Sequence, residues 1–141
     1  MTEERSAGER NLTGIWNGLY TYPHGQSTAF VATLIETAGS LSGTTHEPST
    51  PGDGPETTSF ATLTGSRRDS TVTFTKRYDR PTQRKISPIL YEGALNADGT
   101  EIEGRWTIHG NSTGRFLMVR QGGNVAARKK KVAVKLPTGA P

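Results

Sequence analysis

Apolar and polar residues alternate in short stretches along most of this chain. In residues 102–108, for example, Ile102, Trp106 and Ile108 alternate with Glu103 and Thr107. A period of two places successive side chains on opposite faces of a β-strand. Turn-forming residues separate the stretches, and no segment keeps a helical period beyond two turns. The pattern therefore predicts an all-β fold of eight antiparallel strands. They are expected at residues 12–22, 28–37, 40–47, 59–67, 71–78, 87–96, 101–109 and 114–121.

A hydrophobic residue, a polar residue and a glycine recur in that order in five of the predicted strands. The five are Leu12-Thr13-Gly14, Leu41-Ser42-Gly43, Leu63-Thr64-Gly65, Tyr91-Glu92-Gly93 and Ile102-Glu103-Gly104. Glycine within a strand marks a sharp bend or a close approach of another backbone. A small closed barrel needs such bends because its sheet must coil tightly to meet itself. We therefore expect an up-and-down barrel, with Trp16 and Trp106 filling space beside the glycines.

The length of 141 residues and the composition predict a single domain. The barrel is expected over residues 12–121, after a disordered N-terminus at 1–11 and before a flexible basic tail at 122–141. The chain has no cysteine, which excludes disulfides and cysteine-ligated zinc, and we expect a cytoplasmic location. Residues 1–10 lack the apolar stretch of a signal peptide, and no run is long and apolar enough to be a transmembrane segment.

The net charge of +4 comes from the tail. Residues 12–120 contain as many acidic as basic residues, whereas residues 121–141 contain Arg128, Lys129, Lys130, Lys131 and Lys135 with no acid. Such a segment can bind nucleic acid or an anionic membrane. Residues 128–135 contain no aromatic residue for base stacking, and solvated basic tails are common, so we do not expect either partner.

Three segments of the chain resemble the avidin and streptavidin family, within the wider calycin-type barrels. They are Leu12-Thr13-Gly14-Ile15-Trp16, Leu41-Ser42-Gly43-Thr44 and Ile102-Glu103-Gly104-Arg105-Trp106. The resemblance covers residues 12–121. It implies a barrel with a ligand cavity at one end, assembled as a homodimer or homotetramer.

The same resemblance implies that most groups which hold biotin in that family are missing here. The polar positions for the ureido group would fall at Gly18, Tyr22, Thr45 and Glu47, and a final Asp near Asn124. Aromatic wall positions would fall at Phe74 and Trp106. The carboxylate contacts would fall at Ser87, which is retained, and Ile89, which is not. A buried urea without its partners is costly, so we expect a ligand other than biotin.

The aromatic residues on predicted inward faces could line a cavity or simply fill a small barrel. They are Trp16, Tyr20, Tyr22, Phe74, Tyr78, Tyr91 and Trp106. Trp16 is expected to plug the core. A ligand site is predicted at Tyr22, Thr45, Phe74, Ser87, Tyr91 and Trp106.

Glu47 and Lys76 also fall on inward faces, near strand ends. Such a pair could bind a charged ligand or exchange protons, but side chains of this kind at a barrel rim are usually solvated, and solvation is our expectation. His24, His46 and His109 have no metal-ligand spacing, so we predict no metal and no cofactor. No catalytic motif is recognisable and no enzyme is predicted.

Two functions remain open at this stage. The first is a non-catalytic barrel that binds one small apolar or aromatic molecule. The alternative is a structural barrel with a filled interior, which assembles into homo-oligomers through outward residues such as Ile15, Val31 and Ile35.

Overall fold

The computed structural model describes residues 11–48, 58–79, 87–108 and 112–121. All regular structure in these residues is β-strand. The strands are β1 (Gly14–Thr21), β2 (Ser27–Thr37), β3 (Ser40–Pro48), β4 (Thr58–Arg68), β5 (Thr71–Tyr78), β6 (Ile89–Leu95), β7 (Glu101–Ile108) and β8 (Ser112–Arg120). The predicted strands agree with these to within about two residues at each end, as is usual for element boundaries. Of the N-terminal segment predicted at 1–11, residues 1–10 lie outside the described residues, as does the tail predicted at 122–141.

The sheet closes on itself. Each strand pairs with the next in the chain, and β1 also pairs antiparallel with β8, with Gly18 opposite Met118. This confirms the predicted eight-stranded, antiparallel up-and-down barrel. The described residues include no helix long and apolar enough to cross a lipid bilayer.

Closure gives every strand an inner and an outer face. The inner faces carry a continuous apolar core in which Trp16, Ala32, Val72, Ile102 and Met118 are completely buried. Alternation in the sequence predicted these faces because successive strand residues point to opposite sides. An eight-stranded barrel encloses just enough room for its own side chains or one small ligand.

Two strand glycines show why the motif identified in the sequence recurs. A Cβ at Gly104 would collide with the carbonyl oxygen of Glu92 on β6, and one at Gly65 would collide with that of Thr73 on β5. Neighbouring backbones approach so closely at these points that any side chain is excluded. The glycines therefore permit the tight coiling that closure requires.

Hydrogen bonds close one end of the barrel, which we call the base. The guanidinium of Arg120 lies 4.6 Å from the Trp16 ring centre and donates to the carbonyls of Asn11, Thr13 and Gly99. The Trp16 indole N–H donates to the Leu12 carbonyl at 2.9 Å. Residues 11–13 are thus bound across the base, and Trp16 is the core plug that the sequence predicted.

A second contact at the base anchors the same segment. The Glu36 carboxylate accepts the backbone N–H of Leu12 and the Nε–H of Arg67, both at 2.9 Å. Burial alone would raise the pKa of Glu36, but the Arg67 and Leu12 hydrogen bonds and the charges of Arg67 and Arg120 outweigh it and lower the pKa. Glu36 therefore stays ionised and keeps residues 11–13 attached to β2.

The connections differ between the two ends. At the base, β2 to β3 and β4 to β5 are joined by the pairs Ala38-Gly39 and Asp69-Ser70, and β6 to β7 by residues 96–100. At the opposite end, which we call the mouth, the connections are residues 22–26, 49–57, 79–88 and 109–111. Longer loops at one end of a barrel are where binding groups are commonly placed. The mouth is therefore where a ligand site is to be sought.

Candidate ligand site at the barrel mouth

Two aromatic rings meet at the inner edge of the mouth. Tyr22 follows β1 and Trp106 lies on β7; their ring centres are 5.5 Å apart and their planes are nearly perpendicular. The Trp106 indole N–H donates to the Thr21 carbonyl at 3.1 Å, which holds the ring in place. Tyr22 is partly exposed, as are Ile89 and Ile108 beside the core. These residues form an apolar wall in which Trp106 is buried and only Tyr22, Ile89 and Ile108 are partly exposed.

A buried ion pair lies deeper in the mouth. Lys76 Nζ on β5 donates to Glu47 Oε1 on β3 at 2.8 Å, and each side chain is only 1% exposed. Taking two charges out of water is costly, and only close pairing with further hydrogen bonds offsets that cost. The expectation that Glu47 and Lys76 are solvated at the rim is therefore wrong. Their strands carry them inside the closed wall, where they must bind each other.

Two phenols also donate hydrogen bonds to the Glu47 carboxylate. The hydroxyl groups of Tyr20 and Tyr78 donate to Glu47 Oε2, at 2.7 Å and 3.0 Å. Burial raises the pKa of Tyr20 far above its ordinary value, and electrostatic interactions with Tyr78 and Glu47 raise it further. The pKa of Tyr78 is raised as well, again mainly by burial. Both phenols therefore remain protonated donors at physiological pH. We call Tyr20, Glu47, Lys76 and Tyr78 the mouth cluster.

Aromatic rings surround the ammonium group of the mouth cluster. Lys76 Nζ lies 4.8 Å from the ring centre of Tyr20, 4.9 Å from Tyr78, 5.1 Å from Phe30 and 5.8 Å from Tyr91. A cation within about 6 Å of a ring centre is attracted by the negative face of the ring. Four rings and a carboxylate thus stabilise a single positive charge in an otherwise apolar interior.

Strand register explains how residues distant in sequence form the cluster. Glu47 and Lys76 belong to β3 and β5, which are separated by β4. On β4 the inward residue Ala61 pairs with both Thr45 and Tyr78. Because the methyl group of Ala61 is small, the longer side chains of Glu47 and Lys76 can meet across β4.

The structure distributes the six predicted site residues over two depths. Tyr22 and Trp106 form the mouth wall described above, and Ser87 is half-buried just before β6. Phe74 and Tyr91 stack deeper in the barrel, with ring centres 4.9 Å apart, and both are buried. They belong to the packed core, with Tyr91 also bordering Lys76.

Thr45, the sixth predicted residue, has a buried polar atom without a partner. It is 2% exposed, and its Oγ1 makes no hydrogen bond to the described residues. Its neighbours in the register are Ala32 on β2 and Ala61 on β4, so three short side chains lie in a row on this part of the wall. A buried hydroxyl left without a partner costs about 1–3 kcal/mol. A polar ligand atom would remove that cost.

His24 and His46, the histidines among the described residues, show no sign of a metal site. His24 is exposed and stacks on Tyr22 with 5.4 Å between ring centres, and His46 is exposed next to Phe60. His109 lies outside the described residues. No group of three or more potential metal ligands occurs in the part of the chain that the structure describes. The absence of a metal or cofactor remains a prediction from the sequence.

Sequence reasoning missed the mouth cluster as a unit. Alternation placed Glu47 and Lys76 on inward faces and included Tyr20 and Tyr78 among inward rings. A signal was present, because a charged residue on an inward face of a closed barrel needs an inward partner of opposite charge. What the sequence lacked was the relative stagger of β3 and β5, which decides whether the two charges meet.

Comparison with known proteins supports the fold. No protein-family model matches the chain, and no curated protein sequence matches it. A solved structure of a redesigned β-barrel is similar over 86% of this chain and all of its own, with a TM-score of 0.61 and 17% sequence identity. A de novo designed fluorescence-activating β-barrel is similar over 83% of this chain and all of its own, with a TM-score of 0.54 and 13% identity. At such identities the likeness concerns the barrel alone.

The mouth cluster predicts strongly coupled effects of substitution. Lys76→Met leaves the Glu47 carboxylate buried without its cation and is expected to lower the free energy of unfolding by about 3–5 kcal/mol. Glu47→Gln/Lys76→Met removes both charges and should cost clearly less than the sum of the two single changes. Denaturant unfolding of the wild-type protein, the two single variants and the double variant measures the coupling.

Arg115→Met, at the exposed 3.8 Å contact with Glu103, is the control and should change the free energy of unfolding by less than about 1 kcal/mol. Additive effects at Glu47 and Lys76 would contradict the buried pair.

Proposed function

We propose that the barrel binds one small, planar aromatic molecule that enters through the mouth. The apolar part of the molecule packs against Tyr22 and Trp106, and a polar group at its inner end accepts or donates a hydrogen bond at Thr45 Oγ1. No catalytic step is part of this proposal.

The observation that carries the proposal is the unpartnered hydroxyl of Thr45 in a wall of short side chains. The partly exposed mouth wall supports it, because small-molecule sites combine a mostly apolar lining with a few fixed polar groups. Trp106 is held in place by the hydrogen bond to the Thr21 carbonyl. A preorganised surface of this kind reduces the entropy lost on binding.

The finer resemblance to avidin and streptavidin rests on the sequence motifs alone. The described site differs from the expected biotin cage, since Glu47 is occupied by Lys76 and two phenols. This supports a ligand other than a urea, in agreement with the missing polar positions.

Fluorescence titration with a panel of planar aromatic compounds tests the proposed function. Ligands that carry one polar group should quench Trp106 saturably, whereas Trp16 at the base is buried and acts as an unchanged background. Thr45→Val removes the hydroxyl without changing the shape and should weaken binding by about 1 kcal/mol, roughly fivefold. Ser42→Ala, an exposed change on the same strand, should have no effect. Absence of saturable quenching by the whole panel, or equal affinity for the Thr45→Val protein, would refute this function.

A second candidate function is assembly with further copies of the chain through the outer face. Ile15, Ile35 and Phe60 are 45%, 53% and 55% exposed on the outside of β1, β2 and β4. Ile15 and Ile35 lie on the adjacent strands β1 and β2, whereas Phe60 lies apart on β4. Exposed apolar groups on adjacent strands are typical of interaction surfaces. Light scattering at high protein concentration should then show dimers or tetramers that Ile35→Lys dissociates, with Thr64→Lys as an exposed control. A strictly monomeric protein would exclude this candidate.

A further inference from the structure

We propose that the rings and the carboxylate around Lys76 Nζ form a binding site for an alkylammonium group, which the chain's own lysine fills at rest. This inference concerns the inner cluster and does not depend on the binding of an aromatic molecule at the outer wall. It assigns the ligand class by the chemistry of the site, which is complementary to one positive charge on a hydrocarbon stem.

The geometry around the ammonium is that of a cation receptor. Four rings lie between 4.8 Å and 5.8 Å from Nζ, and the Glu47 carboxylate supplies the opposite charge at 2.8 Å. Aromatic cages of this kind recognise ammonium ligands because the ring faces attract the cation while excluding water. Tyr20 and Tyr78 hold the second carboxylate oxygen, so the charge that faces the cation is fixed before the cation arrives.

Protein stability alone gives a weak reason for placing this pair inside the barrel. Replacing a buried ion pair by well-packed hydrophobic residues is often neutral or even stabilising. Most of the surrounding core is apolar, and within it the acceptor that the Tyr20 and Tyr78 hydroxyls need is the Glu47 carboxylate. Recognition of a cation, in contrast, requires both the carboxylate and the rings.

Lys76 acts in this scheme as a tethered competitor. Its ammonium has the same chemistry as a ligand amine, and its attachment to β5 gives it a high effective concentration at the site. On β6 the residue opposite Lys76 is Ile89, which is partly exposed at the mouth. The flexible lysine stem can therefore withdraw toward the mouth when an external amine takes its place. External amines should bind weakly to the wild-type protein and much more tightly once the lysine is removed.

The test uses Lys76→Ala and n-propylammonium, which replaces the three lost carbons and the charge and has no ring. The melting temperature of Lys76→Ala should rise with n-propylammonium, with an apparent affinity at least tenfold higher than for the wild-type protein. n-Propanol, which has the same hydrocarbon without the charge, should have little effect. Lys76→Met should not respond, because its side chain fills the same space. Glu47→Gln/Lys76→Ala lacks the counter-charge and should lose at least tenfold in affinity relative to Lys76→Ala.

Each outcome of the test decides the proposal. Should Lys76→Ala remain unfolded alone, refolding in the presence of n-propylammonium and not of n-propanol supports the site, whereas failure to refold in both contradicts it. Equal responses to the amine and the alcohol, or equal amine affinity for wild-type and Lys76→Ala proteins, also overturn it. A positive amine response combined with no binding of aromatic compounds would refute the proposed function alone.

Discussion

Pairing of β1 with β8 is the interaction on which the rest of the structure depends. Residues Trp16 to Thr21 pair with Arg115 to Arg120, so the sheet has no free edge. A closed sheet has an interior that reaches solvent only at its two ends. Any charged side chain on an inner face must then find a partner within the wall. The mouth cluster is a direct consequence of that confinement.

The two ends of the barrel use similar charges for different purposes. At the base, the Arg67–Glu36 pair has side chains 15% and 4% exposed and anchors Leu12 across the opening. At the mouth, Glu47 and Lys76 are almost completely buried and are surrounded by rings. The base pair is explained by closure of that end, because it contacts the segment that covers it. The mouth pair instead holds the hydroxyl groups of Tyr20 and Tyr78, and the binding role proposed for it is argued from that geometry.

Most of the fold could be predicted from the sequence because its determinants are local. Alternation set the faces of β5 and β7, and the strand glycines indicated coiling tight enough for closure. The site was predictable only in part. Tyr22 and Trp106 were predicted as pocket residues because each ring carries a polar tip that needs a partner, and their part in binding stays a prediction. The Glu47–Lys76 contact spans two strand pairings, and its formation depends on stagger, which composition and periodicity do not encode.

Nuclear magnetic resonance of the protein tests the closed barrel most directly. We expect interstrand Hα and amide contacts between β1 and β8, including those around Gly18 and Met118, and slow amide exchange in both strands. Rapid exchange along β1 and β8, with no contacts between them, would show an open sheet. The inner faces would then be accessible from the side, and both the burial of the mouth cluster and the site built on it would be contradicted.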